Sequence, residues 1–245
     1  MPYLWVWHFF MNRTERIISI LKKHQSEFHP VVSFDATKEK LLQLDFTASN
    51  NEISPDILDH TDQFISYINQ KLSNASAKYG IGGYSEYRTV YSRSKVFDAT
   101  ISGEEPRRLH LGIDIWSKPH TAVMSPLNGI VHSFAFNNNF GDYGTTIILT
   151  HQLDGFSFYT LYGHLSLNDI KNLNGGERID KGEIFAEFGI PMENGHWPPH
   201  LHFQIIIDLE NWSGDYPGVC KYSEKKKYLA NCPDPDLILQ MNKYL

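Results

Sequence analysis

The chain has 245 residues, 41% of them hydrophobic and 20% charged, with a formal net charge of −6. That composition suits a globular protein with a sizeable core, excludes collagen-like and low-complexity chains, and argues against a general nucleic-acid partner, which would ask for a basic surface. No apolar run approaches the ~18 residues that a membrane-spanning helix needs.

Residues 1–10, MPYLWVWHFF, are apolar and aromatic, but no basic segment precedes them and no small-residue cleavage site follows. They read as an upstream extension or a short hydrophobic peg rather than an export signal, so a cytoplasmic location is the expectation, with the periplasm or exterior as the alternative. Residues 12–26 carry Ile17, Ile18 and Leu21 on one side of a helix. Ser54 and Pro55 open a second helix, with serine at the cap and proline in the first turn. Its stripe of Ile57, Leu58, Phe64, Ile65, Ile68 and Leu72 runs to about residue 74 and is packing surface. SNASAKYGIGGY then forms a small-residue joint. The expected division is a helical extension over 1–78 and a main domain over 79–245.

In that main domain the period changes to two. LHLGIDIW places Leu109, Leu111, Ile113 and Ile115 on one face and His110, Gly112 and Asp114 on the other, as a half-buried strand does. HLHFQII repeats the pattern, with His200, His202 and Gln204 opposite Leu201, Phe203 and Ile205. TAVMSPLNGIVHSFAF, GTTIILTH, FSFYTLYGHLS and GERIDKGEIFAEFG are further β-rich runs punctuated by Gly, Pro and Asn. The fold class is therefore mainly β, built from antiparallel sheets. GIPMENGHWPPHLH is too rich in Gly and Pro for regular structure and suits a groove wall, where Trp197 either lines a cleft or packs on its neighbours. Lys225–Lys227 reads as a solvated loop, and the tail CPDPDLILQMNKYL closes the domain with one short helix. Cys220 and Cys232 could pair in an oxidising compartment; neither is expected to ligate metal.

The chemistry lies in HLGID, YGHLS and HLHF. Zinc accepts imidazole nitrogen and carboxylate oxygen, and a catalytic site keeps a position open beside three protein ligands. His110, Asp114 and one of His200 and His202 would supply that set, leaving the other histidines for proton transfer. No H-E-x-x-H helix is present, so the glutamate base that such a motif brings is missing and a histidine must serve. Of the twelve histidines, His120, His132, His151 and His196 read as surface, strand-end or loop residues. Gln204 either supports a ligand or is simply a buried polar strand residue.

HLGID, YGHLS and PPHLHFQ, in that order, resemble the motif set of the lysostaphin/LytM-type zinc endopeptidases, over roughly residues 80–208. The resemblance implies the duplicated-hybrid-motif β-core of that family and one Zn2+ per chain, held by His110, Asp114 and His202. It implies His164 and His200 as the catalytic pair, and a peptide or muropeptide as the substrate. DFTASNNE, IGGYSEYR, DYGTTIILTH, NWSGDYPGV and CPDPDLIL further resemble the version of this domain that occurs fused to phosphotransferase-like and aminotransferase-like domains. That version is expected inside the cell, away from intact peptidoglycan. Two functions follow: a zinc metallopeptidase acting through metal-activated water and a histidine pair, or a non-catalytic zinc-binding regulatory or ligand-binding module. The ligand set is whole, which favours the enzyme. The oligomeric state is left open.

Overall fold

The computed structural model describes residues 3–99, 101 and 103–245, and for residues 3–12 the backbone alone. The β-branched and aromatic runs become strands: β1 (Leu41–Leu44), β2 (Tyr79–Gly82), β3 (Leu109–His110), β4 (Ile113–Trp116), β5 (Ala122–Met124) and β6 (Gly129–Asn137). They continue as β7 (Gly144–Leu153), β8 (Phe156–Leu165), β9 (Arg178–Ile179), β10 (Ile184–Glu187), β11 (His200–Ile206) and β12 (Val219–Cys220). Helices are α1 (Tyr3–Lys23), α2 (Pro55–Asp59), α3 (Thr61–Ala75), α4 (Lys225–Asn231) and α5 (Asp236–Leu239). Eight strands form one sheet in the order β1-β2-β4-β11-β8-β7-β6-β9, while β10 with β5 and β12 with β3 make two small ribbons.

The fold is mainly β, and the large sheet is mixed rather than wholly antiparallel. β1 runs parallel to β2 at one edge. A parallel pair needs a long crossover, and α2 and α3 lie in the connection between these two strands. The N-terminal segment, read as helical, thus also carries a strand of the main sheet.

Three local expectations are corrected. The single helix from Ser54 breaks at His60, whose backbone is extended (φ −117°, ψ 111°). The His60 ring nitrogen Nδ1 donates to the Asp56 carbonyl at 3.0 Å, taking the acceptor that the next helical amide would have used. Ser54 does cap α2, accepting from the Ile57 amide at 3.3 Å. The LHLGIDIW run divides at Leu111, whose amide turns to the Gly218 carbonyl, so β3 pairs with β12 while β4 joins the main sheet. Lys225–Lys227 opens α4 rather than a loop. The reading of residues 1–10 as an extension or peg falls on residues 1 and 2 and on side chains that lie outside the described residues.

The strand period sorts the core onto two faces. Ile113, Ile115, Leu201, Phe203 and Ile205 pack with Ile17 and Leu21 of α1 on one side of the sheet. Phe64, Ile68 and Leu72 of α3 pack with Trp116 and Trp197 in a second cluster. Because Trp116 shares its strand face with Asp114, α3 covers the same side of the sheet as the polar residues of β4 and β11. Both cysteines are buried and free. Among the described residues no helix is long and apolar enough to cross a membrane.

Two outcomes are expected. Removing residues 1–77 takes away β1 and uncovers the Trp116 cluster. Each of the three lost α3 side chains contributes about 1.5–3 kcal/mol of burial, so the shortened chain should be insoluble or melt far lower in thermal unfolding; an unchanged melting temperature would make the segment a detachable appendage. The second concerns His151, read as a surface or strand-end residue but buried, with Nδ1 donating to the Asn128 carbonyl (2.9 Å) and Nε2 near the Thr160 hydroxyl (2.7 Å). Burial lowers its pKa from 6.5 to about 4. The unfolded chain therefore binds a proton that the folded chain refuses, and stability falls as pH drops from 6.5 to 4, by about 3 kcal/mol for this group. Urea unfolding of His151→Gln should show a shallower loss of stability over that window than the parent.

Candidate metal centre

Strand register assembles the site. β11 lies between β4 and β8, and all seven of its residues are buried. In the β4–β11 ladder His202 faces Asp114 and His200 faces Trp116. Directly opposed residues hold their Cβ atoms about 4.5–5.5 Å apart, and residues two apart share a face, so one ladder gathers four side chains. Gly163 of β8 is the other neighbour of His202, which brings His164 to the same place.

Three donor atoms converge there. His110 Nε2 lies 3.0 Å from His202 Nδ1 and 3.2 Å from Asp114 Oδ1, and His202 Nδ1 lies 3.0 Å from Asp114 Oδ1. All three residues are buried. Ligands about 2.0–2.1 Å from a tetrahedral metal stand roughly 3.3 Å from one another, so the spacing is that of a coordination shell.

The far sides of the rings settle which nitrogen carries the proton. His110 Nδ1 donates to the Gly83 carbonyl at 2.9 Å, leaving a lone pair on Nε2. The Gln204 side-chain amide donates to the Pro217 carbonyl at 3.2 Å, which turns its Oε1 to His202 Nε2 at 2.9 Å. His202 therefore donates from Nε2 and keeps a lone pair on Nδ1. Two imidazole lone pairs and a carboxylate oxygen meet with no proton to share between them, an arrangement that asks for a cation at its centre. Gln204, read either as support or as a buried polar residue, is both.

The same logic holds for the remaining pair. His164 Nδ1 donates to the Asn194 carbonyl and His200 Nδ1 to the Pro198 carbonyl, each at 2.8 Å, so both keep Nε2 as an acceptor. Their rings lie 4.0 Å apart at 31°. Burial lowers the His200 pKa to about 4, and burial together with the His200 ring holds that of His164 well below its usual value. Burial and the Arg88 charge bring His110 to about 4. For Asp114 burial works toward the neutral acid, but His110 and Arg88 outweigh it and hold the carboxyl well below its usual range. His110, His164 and His200 are thus neutral imidazoles beside one carboxylate.

The structure adds three residues that the motifs did not single out. Arg88 is fully buried, donates to Asp114 Oδ2 and Glu86 Oε2, and lies 3.2 Å from the Tyr91 hydroxyl. It occupies one carboxylate oxygen and leaves Oδ1 for the donor cluster. Trp116 stacks on His200 with centroids 3.8 Å apart and planes at 12°, fixing the ring that Pro198 orients. Tyr143 places its hydroxyl 3.3 Å from His202 Nε2. Burial, with Asp215 nearby, holds that phenol well above its usual pKa, so it keeps its proton, which is not directed at the already protonated Nε2 of His202. Trp116 had a signal, since it continues the polar face of β4 two residues beyond Asp114. Arg88 and Tyr143 reach the site through long-range pairing that spacing does not encode.

Two motif glycines are steric requirements. A Cβ on Gly112 would meet His202 Cε1 at 2.5 Å, and one on Gly163 would meet the Tyr143 ring at 2.5 Å. His164 itself has φ 66°, a left-handed conformation that costs a non-glycine residue about 1–3 kcal/mol and recurs at functional positions. Of the histidines set aside, His120 is exposed and bonded to Glu187, His132 is exposed, His196 is half-buried, and none joins the donor cluster. Trp197 both lines the cleft and packs against Phe64.

Residues 108–213 match the family described as Peptidase family M23. The L-Ala--D-Glu endopeptidase of Bacillus subtilis (strain 168) is 30% identical over 170 residues, covering 64% of this chain and 49% of that protein. The chain thus spans about half the length of the curated relative it matches. Among solved structures, the catalytic domain of the antimicrobial peptidase lysostaphin from Staphylococcus simulans is 22% identical, covering 66% of this chain and 97% of that one, with a TM-score of 0.39. LytU is 23% identical, covering 53% of this chain and 79% of that one, with a TM-score of 0.34.

Gln204→Leu tests the donor set. Without Oε1 the His202 proton is free to move to Nδ1 and block the ligand position. Outer partners of this kind are worth about 10–100-fold in metal affinity; chelator competition should show a loss of that size with the fold intact by circular dichroism.

Proposed function

We propose, from the match of residues 108–213 to Peptidase family M23, that this chain is a zinc-dependent metallopeptidase hydrolysing a peptide or amide bond. The carrying observation is the convergence of His110 Nε2, Asp114 Oδ1 and His202 Nδ1 beside two neutral imidazoles. Two nitrogens and one oxygen match the preference of zinc, and a catalytic site keeps its remaining position open. Bound zinc supplies Lewis acidity, lowering the pKa of a water toward about 7 and polarising the scissile carbonyl.

The chain's own residues then handle protons and charge. His164 and His200, neutral and lone-pair bearing at Nε2, are both able to take the proton of the attacking water. Whichever ring accepts it becomes a cation, stabilising the developing oxyanion and later protonating the leaving nitrogen. The stack of Trp116 on His200 keeps that ring from rotating out of line, and the protonated Tyr143 phenol offers a further donor. Arg88 holds Asp114 in one orientation.

The substrate is a short peptide containing Gly, Ala or a D-amino acid, such as a soluble muropeptide, and the protein acts inside the cell. The name of the Bacillus relative, an L-Ala--D-Glu endopeptidase, supports the D-amino-acid part of this reading.

Purified protein should contain one zinc per chain by elemental analysis. Asp114→Ala should lose most of it. His200→Ala should keep it and lose turnover on a muropeptide panel by 100-fold or more, the scale of general acid–base catalysis. Full zinc in Asp114→Ala would break the ligand assignment, and full activity in His200→Ala would remove that residue from the mechanism. Zinc-loaded protein that cleaves no peptide or amide would turn the reading to a binding module.

A further inference from the structure

Cys232 follows α4 and is fully buried. It lies beyond the stretch that matches the peptidase family, and no step of the chemistry above employs it. Its place is fixed by the backbone around it. The Cys232 amide donates to the Tyr228 carbonyl at 2.7 Å. Its neighbour Asn231 is bonded to the residues just past β11. The Asn231 side-chain amide donates to the Asp208 carbonyl at 2.8 Å, and its Oδ1 accepts from the Asp208 amide at 3.0 Å. The Asn231 carbonyl accepts from the Ile207 amide at 2.9 Å. The end of α4 is thereby pinned to the strand that carries His200 and His202.

From that place Cys232 reaches the supports of both imidazoles in the donor cluster. Its sulfur accepts from the Gln204 side-chain amide at 3.2 Å. The Pro217 carbonyl accepts from the same nitrogen, also at 3.2 Å. Both amide hydrogens of Gln204 therefore have acceptors, and Oε1 is left to face His202 Nε2. A flipped amide would turn its oxygen against the Pro217 carbonyl and point hydrogens at a ring nitrogen that already carries one. On the other side, the Cys232 carbonyl accepts from the Tyr84 hydroxyl at 2.6 Å. Tyr84 adjoins Gly83, whose carbonyl takes the Nδ1 proton of His110.

We infer that Cys232 is a positioning residue of the metal centre. Through Gln204 it fixes which nitrogen of His202 carries the proton, and through Tyr84 it steadies the Gly83 carbonyl behind His110. The proposal rests on the metallopeptidase reading of the same site and deepens it. Without the sulfur, the second amide hydrogen of Gln204 would be buried with no acceptor, and the amide would be free to turn. His202 would then move its proton to Nδ1, the atom that has to meet the cation. A serine oxygen can replace the sulfur as acceptor, whereas an alkyl group cannot.

The test compares Cys232→Ala, Cys232→Ser and Cys220→Ala in the full chain. Cys220 is buried in the same cluster and controls for lost core volume. Zinc affinity is read by chelator competition and stability by thermal unfolding. The His202 tautomer is read from imidazole nitrogen chemical shifts of metal-free protein at alkaline pH. Cys232→Ala should bind zinc about tenfold more weakly, the lower end of what a partner behind a metal ligand is worth. It should also show a new population of His202 protonated at Nδ1. Cys232→Ser should restore both readouts, and Cys220→Ala should melt lower with both unchanged. Should Cys232→Ala not fold, Cys232→Val, which has no acceptor, carries the same expectation. Parental affinity and tautomer in the alkyl variant would overturn the proposal. So would an equal loss of affinity in Cys220→Ala, which would make the effect one of packing. A parent chain that takes up no zinc would overturn the metallopeptidase reading instead, and the tautomer comparison on metal-free protein would still decide the role of Cys232.

Discussion

The pairing of β4 with β11 is the constraint on which the rest depends. Opposite residues in that ladder are Asp114 with His202 and Trp116 with His200, so one alignment sets both the donor cluster and the stacked His200 ring. A slip of one residue would swing all four into the apolar layer formed with α1 and put Ile113, Ile115, Leu201 and Phe203 in the cleft. Burial of those apolar residues is thus what enforces the register. The core and the site are two faces of one energetic decision.

The electrostatics of the site follow from that closeness. Three lone-pair-bearing atoms about 3 Å apart repel one another and are held only because the surroundings over-determine them. Arg88 offsets the Asp114 charge from one side, and Gly83 and Gln204 fix the far nitrogens of the two rings. Gly112 leaves room for the His202 ring, whose Cε1 a Cβ there would meet at 2.5 Å. The arrangement is preorganised before any ligand arrives, as a metal site built on strands rather than loops should be.

How much of this the sequence disclosed depends on how far each signal reaches along the chain. His110, Asp114, His200 and His202 stand out because period-two alternation puts chemically like groups on one face within a few residues, while His164 entered through the YGHLS motif. The mainly β class was legible for the same reason. What alternation does not encode is partnership across the fold. Arg88 is 26 residues from Asp114, and Tyr143 is 59 from His202. The split of the Ser54 helix turned on one side-chain bond from His60 that competes with the backbone, which propensity does not register. His151 looked like a strand-end residue because its neighbours are polar, yet the Asn128 carbonyl and Thr160 satisfy both ring nitrogens and let it be buried. The strand β1 was hidden in a short, half-buried run at a sheet edge.

The loop before β11 shows what irregular backbone beside a regular sheet supplies to the site. Inside a ladder most carbonyls already accept from a neighbouring strand, so few turn to a side chain. Gly189, Pro191, Gly195, Pro198 and Pro199 keep residues 189–199 out of any strand. The carbonyls of Asn194 and Pro198 are consequently free to take Nδ1 of His164 and His200, and the Asn194 side chain, bonded to Gly189, Trp197 and the Trp197 amide, stiffens the loop that offers them. The same loop carries Trp197 into the cleft wall, and Thr61 at the start of α3 donates to the carbonyl of His196. Rigid residues that abolish secondary structure therefore do three things at once. They orient the His164 and His200 rings, place one aromatic wall and join the N-terminal segment to the site.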